Sequence, residues 1–214
     1  MLKYCSEPDF SPCIASNSLS LDAGDMHIWK VFIPDHVSSL GTLSALLSPK
    51  EKVARDRFHK DYLKMRYIVA HAALRDILSY YMNGDFFMGE FDTIGNGKPI
   101  LPDSKLQFNL SHSGDYAVVG VSLSELGVDV ECHQRSVEVL DLATRFFTKK
   151  EREIILKSDD YLSSYKFFRV WTLKEAFIKA VGEGLSMSLS SFSVDDVLAP
   201  FVKIKYCRPE CGDP

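Results

Sequence analysis

The stretch Trp171-Thr172-Leu173-Lys174-Glu175-Ala176-Phe177-Ile178-Lys179 constrains the fold of this chain more than any other. Phe168, Trp171, Leu173, Phe177, Ile178 and Val181 recur at helical spacings and cover more than one stripe, which predicts a helix packed round most of its circumference. Lys174, Glu175 and Lys179 cannot all reach water from such a helix. Glu175 is therefore expected to meet a cation or a fixed hydrogen-bond donor inside a cleft. The simpler alternative is a Glu175–Lys179 surface pair at i,i+4.

Upstream, Leu126-Gly127-Val128-Asp129-Val130-Glu131 predicts a strand. Strand period two puts Asp129 and Glu131 on one face, about 6.6 Å apart, with Val128 and Val130 turned into a core. Adjacent carboxylates repel, and flanking a hard cation relieves that; an exposed strand with polar residues outward is the alternative. With Glu175 the set offers three oxygen ligands and no thiolate or imidazole, which favours magnesium over zinc.

The 214 residues, 46% hydrophobic and 25% charged, suffice for one sizeable core or two small ones. No apolar run reaches membrane-spanning length, and residues 1–25 lack a signal-peptide pattern, so a cytoplasmic protein without membrane contact is expected. Five scattered cysteines suggest reduced thiols, and Cys5/Cys13 and Cys207/Cys211 lack a zinc-knuckle spacing. A formal charge of −4 makes no case for nucleic-acid binding. Locally, Lys50 to Arg66 holds seven Lys/Arg against three acids. That run suits a solvated helix face or a phosphate site, since Arg binds phosphate with two-pronged donor geometry.

In chain order, Met26 to Ile33 reads as a strand closed by Pro34. Ser48-Pro49-Lys50-Glu51 has capping-box form and opens a helix. Leu63, Tyr67, Ala70, Leu74, Ile77 and Leu78 continue as a longer helix over Tyr62–Tyr80, ended by Asn83-Gly84. A similar order recurs about a hundred residues later: a strand at Val128–Glu131, a second capping box at Thr148-Lys149-Lys150-Glu151, and a long helix from Tyr165 to Val181. This predicts an α+β fold of two similar halves, 1–122 and 123–214, with a ligand cleft between them.

The join carries the turn-rich Asn96-Gly97-Lys98-Pro99, then Phe108-Asn109-Leu110-Ser111-His112-Ser113-Gly114-Asp115 and the apolar strand Ala117–Val121. Gly114 and Asp115 predict a turn between strands. Ser111 and His112, as strand neighbours, point to opposite faces and make a poor nucleophile and base pair. Ser111, His112 and Lys98 are better read as hydrogen-bond donors to phosphate, with a structural histidine as the alternative.

Taken together, Gly97-Lys98-Pro99, Phe108 to Gly114, Gly127 to Glu131, Phe146-Phe147-Thr148-Lys149-Lys150-Glu151 and Trp171 to Lys179 resemble the ordered motif set of the Sfp-type 4'-phosphopantetheinyl transferases, from about Leu47 to Val194. The resemblance implies a pseudo-twofold pair of α+β halves with coenzyme A in the cleft. It also implies a monomer that moves the phosphopantetheine arm of coenzyme A to a serine of an apo carrier protein, releasing adenosine 3',5'-bisphosphate. Asp129, Glu131 and Glu175 fall on the family's magnesium positions. Lys98, Ser111, His112 and Asp129 fall on positions at coenzyme A, and Arg66 on an arginine near its 3'-phosphate. Glu151 and Lys179 match residues tied to proton transfer or to holding the pyrophosphate. Lys52 and Arg55 are looser candidates for phosphate contacts. Where the family often adds a further hairpin strand after the strand at Phe201–Tyr206, this sequence ends at Pro214. A magnesium-dependent nucleotide phosphohydrolase and a non-catalytic carrier-binding module are the rival readings.

Overall fold

The structure is a computed structural model, and it describes residues 2–5, 19–82, 86–133, 138–157, 160–195, 197–199 and 202–206. The expected helix stop at Asn83-Gly84 and the cysteines other than Cys5 and Cys132 lie outside them.

In chain order come β1 (Leu2–Cys5), β2 (Met26–Phe32), a 3-10 segment (Ile33–Ser39), α1 (Leu40–Ala45), α2 (Pro49–Asp56) and α3 (Asp61–Ser79). There follow β3 (Asp92–Ile94), β4 (Lys98–Ile100), β5 (Gln107–Ser113), β6 (Tyr116–Ser122), α4 (Val139–Phe146), α5 (Lys149–Leu156), α6 (Asp160–Val181), β7 (Phe192–Asp195) and β8 (Lys203–Tyr206). Four strands form one sheet in the order β1-β2-β6-β5, while β3-β4 and β7-β8 are separate pairs. The fold is α+β, as expected. The long helix begins earlier than Tyr165, and the last strand covers Lys203–Tyr206.

Strand alternation decides what the main sheet faces. Trp29, Val31, Phe108, Ala117, Val119 and Val121 join Val69, Ala73 and Ile77 of α3 in the largest core. The turn at Gly114-Asp115 forms between β5 and β6, with Gly114 at φ 57°, where a residue without Cβ is strain-free. On the other face lie Asn109, Ser111 and Ser113 of β5 and Gly120 of β6, against which Leu126 and Val128 pack.

The strand expected over 126–131 is not formed, although the segment runs alongside β5. Its amides are satisfied by side chains instead of a neighbouring backbone: Val128 N donates to Asn109 Oδ1 (2.9 Å), Val130 N to Ser111 Oγ (3.4 Å) and Cys132 N to Ser113 Oγ (3.1 Å). Alternation of side chains survives, because the backbone is extended; the ladder that defines a strand does not.

Both capping boxes are present, and each contains a buried ion pair. Ser48 and Glu51 close the first; Glu51 Oε2 then accepts from Arg75 Nε of α3 at 2.8 Å. Thr148 and Glu151 close the second, and Lys174 of α6 stands 3.0 Å from Glu151 Oε2, both side chains fully buried. Lys174 also donates to the Leu189 and Phe192 carbonyls. Of the charges crowding the helix, Lys174 is thus the one sealed in the interior, and it needs Glu151 to be there. A capped short helix followed by a long helix occurs in each part of the chain, as expected, and in both a buried Glu–cation pair, not foreseen in the sequence, holds the two together. Sheet content differs, since β7-β8 is the one pair found after residue 122 among the described residues.

Candidate active site

Segment 126–132 reaches α6 because Gly127 has no side chain. A Cβ there would lie 1.9 Å from the Ala176 carbonyl oxygen and 2.5 Å from Ala180 N, so only glycine lets the two backbones touch. This close approach brings Asp129 to Lys179, one helical turn beyond Glu175. Lys179 Nζ donates to Asp129 Oδ1 (2.6 Å), Ser111 Oγ (3.0 Å) and the Val128 carbonyl (3.3 Å), and Ser111 Oγ donates to Asp129 Oδ1 (2.8 Å). Next along the segment, Ser113 Oγ donates to Glu131 Oε2 at 2.9 Å.

Glu175 faces the same acidic corner. Burial first, and then the Asp129 and Glu131 charges, raise its pKa above the ordinary carboxylate range, with Lys179 acting the other way. The structure thus joins Ser111, Asp129, Glu131, Glu175 and Lys179. Among the described residues no three of His, Cys, Asp and Glu stand ready in metal-ligand spacing. The donor chemistry nevertheless fits a hard divalent cation: three like charges strain one another, and Asp129 Oδ2 is buried without a hydrogen-bond partner.

His112 leaves β5 toward α3, opposite Ser111, as strand neighbours must. Its pKa is pushed from 6.5 down to about 4, first by burial and then by the nearby charges of His71, Arg66 and Lys179, and its Nδ1 is buried without a partner. Arg66, His71 and His112 together make this side of β5 attractive to an anion. Arg66 also lies over the Tyr62 ring, 5.7 Å from its centroid. His71 was not among the residues singled out in the sequence. Its signal was a His and an Arg at i,i+4, His71 and Arg75, on a helix otherwise apolar on that side, which calls for an acidic partner.

Lys98 is buried and donates to the Ala180 carbonyl at 2.7 Å, so it ties the β3-β4 hairpin to the last turn of α6; burial lowers its pKa. Asn96 adds to the tie through its own amide to Gly182 O (3.0 Å) and its side chain to Glu183 O (2.6 Å). A groove of about 250 Å³ runs here, lined by Asn96, Lys98, Asn109, Ile178, Lys179 and Gly182. Glu151 is placed apart from these residues. It is wholly buried, taking Thr148 N (2.9 Å), Val194 N (2.8 Å) and Lys174, so the structure uses its carboxylate to join α5, α6 and β7. Arg55 is engaged by Asp56 and by Ser44 Oγ.

No helix among the described residues is long and apolar enough to cross a membrane. Residues 125–210, which carry Asp129, Glu131, Glu175 and Lys179, match the family model of the 4'-phosphopantetheinyl transferase superfamily. The 4'-phosphopantetheinyl transferase HetI of Nostoc sp. is 34% identical over 174 residues, 79% of this chain and 73% of that protein. Sfp of Bacillus subtilis, also a 4'-phosphopantetheinyl transferase, is 32% identical over 151 residues, 70% of this chain and 66% of its own. With the motif order, the acidic corner and this extent of identity in agreement, the chain belongs to the 4'-phosphopantetheinyl transferase superfamily.

Proposed function

We propose that this protein transfers the 4'-phosphopantetheine arm of coenzyme A to a serine hydroxyl of an apo carrier protein, leaving adenosine 3',5'-bisphosphate. The observation that carries the reading is the convergence of Asp129, Lys179 and Glu175 beside a separate cationic corner at Arg66, His71 and His112. We assign the pyrophosphate of coenzyme A to the first and its 3'-phosphate to the second, with the groove lined by Lys98 and Lys179 running from the first.

The chemistry is a displacement at phosphorus. The serine oxygen forms a bond to the phosphorus bearing the pantetheine arm, the bond from that phosphorus to the bridging oxygen breaks, and the bisphosphate carries the electron pair away. Asp129, Glu131 and Glu175 would hold a divalent cation such as Mg²⁺, which would neutralise the diphosphate charge when bound. Lys179 places an ammonium beside the same oxygens, and Ser111 Oγ, accepting from Lys179 and donating to Asp129, holds the two in register. With Glu175 kept as a cation ligand and Glu151 buried against Lys174, the serine proton is released to solvent water. Glu151 holds the helices that carry these groups. The division at residue 122 separates the part bearing Arg66, His71, Lys98, Ser111 and His112 from the part bearing Asp129, Glu131, Glu175 and Lys179. We read the protein as a cytoplasmic monomer.

The test is intact-mass analysis of a panel of apo carrier domains incubated with the protein, coenzyme A and Mg²⁺. A carrier gaining one phosphopantetheine, only with metal present and not with Glu175→Gln, is expected. No modified carrier anywhere in the panel would refute the assignment.

A further inference from the structure

We infer that Glu51 is a positioning residue for phosphate recognition, fixing His71 so that its imidazole completes the anion corner formed with Arg66 and His112. This rests on the proposal that the cleft takes coenzyme A, and it adds a residue from α2 that touches no substrate.

The geometry runs from the helix cap to the corner. Glu51, at N3 of α2, is 7% exposed, and its two oxygens are divided between two tasks. Oε2 accepts from Ser48 N and from Arg75 Nε, both at 2.8 Å, which anchors the carboxylate. Oε1 lies 2.9 Å from His71 Nδ1. An anchored carboxylate is an acceptor, so it selects the His71 form with a proton on Nδ1 and presents Nε2 as the ring's outer polar atom. Tyr67 stacks on the imidazole, centroids 3.9 Å apart and planes 20° from parallel, so the ring cannot swing. His71 is 22% exposed at its side chain, which leaves it open to a ligand, and its charge is felt by His112 across the corner.

Charge makes the arrangement purposeful. Arg75 of α3 shares Glu51 with His71, while Arg66 of α3 and Lys179 of α6 act together with His71 on His112 of β5. Glu51 is the one carboxylate bonded to it among the described residues. Burial alone would raise the Glu51 pKa; His71, the Ser48 amide and Arg75 outweigh that and hold it at about 2, so the carboxylate is ionised whenever the protein is folded near neutrality. Glu51 on one edge and Tyr67 on one face thereby hold the His71 ring at a set angle for an arriving phosphate, which a free-swinging histidine would not offer.

Calorimetry with two probes, adenosine 3',5'-bisphosphate and adenosine 5'-phosphate, tests this without any carrier protein. The wild-type protein is expected to bind the bisphosphate more tightly, and Glu51→Gln, which preserves the capping box, to reduce that preference about tenfold, the worth of one charge-assisted hydrogen bond. Steady-state kinetics should agree, with KM for coenzyme A rising by a similar factor and kcat falling by less. An unchanged preference in folded Glu51→Gln overturns the inference. If that variant does not fold, His71→Gln, which leaves the Glu51–Arg75 pair intact, must lose the preference by at least as much; a retained preference overturns it equally. Equal binding of the two probes by the wild-type protein also overturns it, and does so whether or not carrier modification is observed.

Discussion

Lys179 carries more of the site than any other single residue, since its ammonium touches Asp129, Ser111 and the Val128 carbonyl at once. Lys179→Met should lower the rate of carrier modification by about a hundredfold or more, as expected for a pre-aimed cation removed from a phosphoryl-transfer site. The rate at saturating coenzyme A is the measurement, with folding checked by melting. His112 gives a prediction in pH. Its folded pKa, about 4, lies below its ordinary 6.5, so its neutral form stabilises the fold above the ordinary value. That stability is lost as pH falls from 6.5 toward 4. Glu51, held at about 2 instead of 4.5, gives way in a later window, as pH falls below 4.5. Urea unfolding should therefore show a decline between pH 6.5 and 4 that is reduced in His112→Gln, while the decline below pH 4.5 persists.

At the scale of elements, the contact of segment 126–132 with α6 is the joint on which the site turns. Gly127→Ala puts a methyl group 1.9 Å from the Ala176 carbonyl oxygen, so the segment must lift and take Asp129 away from Lys179. Loss of activity well beyond any loss of stability is expected, measured as kcat/KM against Tm. The buried pair Glu151–Lys174 predicts the converse. Lys174→Met leaves the Glu151 carboxylate in the interior without its counter-charge and should cost about 3–5 kcal/mol, a Tm lower by roughly 10 °C. Both capping boxes were legible in the sequence because a cap is local: Ser48 and Thr148 lie three residues from the glutamates they bond. The acidic motif at Asp129 and Glu131 was legible as alternation. Its backbone state was not, because alternation is silent about whether an amide finds a carbonyl or, as here, Asn109, Ser111 and Ser113. The partner of Lys174, and His71 altogether, were hidden for a related reason: each depends on a glutamate twenty or more positions away, Glu151 and Glu51, which only the folded chain brings near.

Across the whole molecule, β5 acts as a partition. Ser111 turns toward α6 and the acidic corner, and His112, the next residue, turns toward α3 and the basic corner. One strand thereby presents a side chain to each corner, while the β3-β4 hairpin, tied to α6 by Asn96 and Lys98, closes the groove along its side. Such a cleft couples cleavage of coenzyme A to arrival of an acceptor only if water cannot take the place of the carrier serine. The decisive measurement is the amount of adenosine 3',5'-bisphosphate formed per carrier modified, with and without the apo carrier present. One bisphosphate per modified serine, and essentially none without the carrier, is the predicted result; release at the same rate without any carrier would contradict it and make the protein a phosphohydrolase.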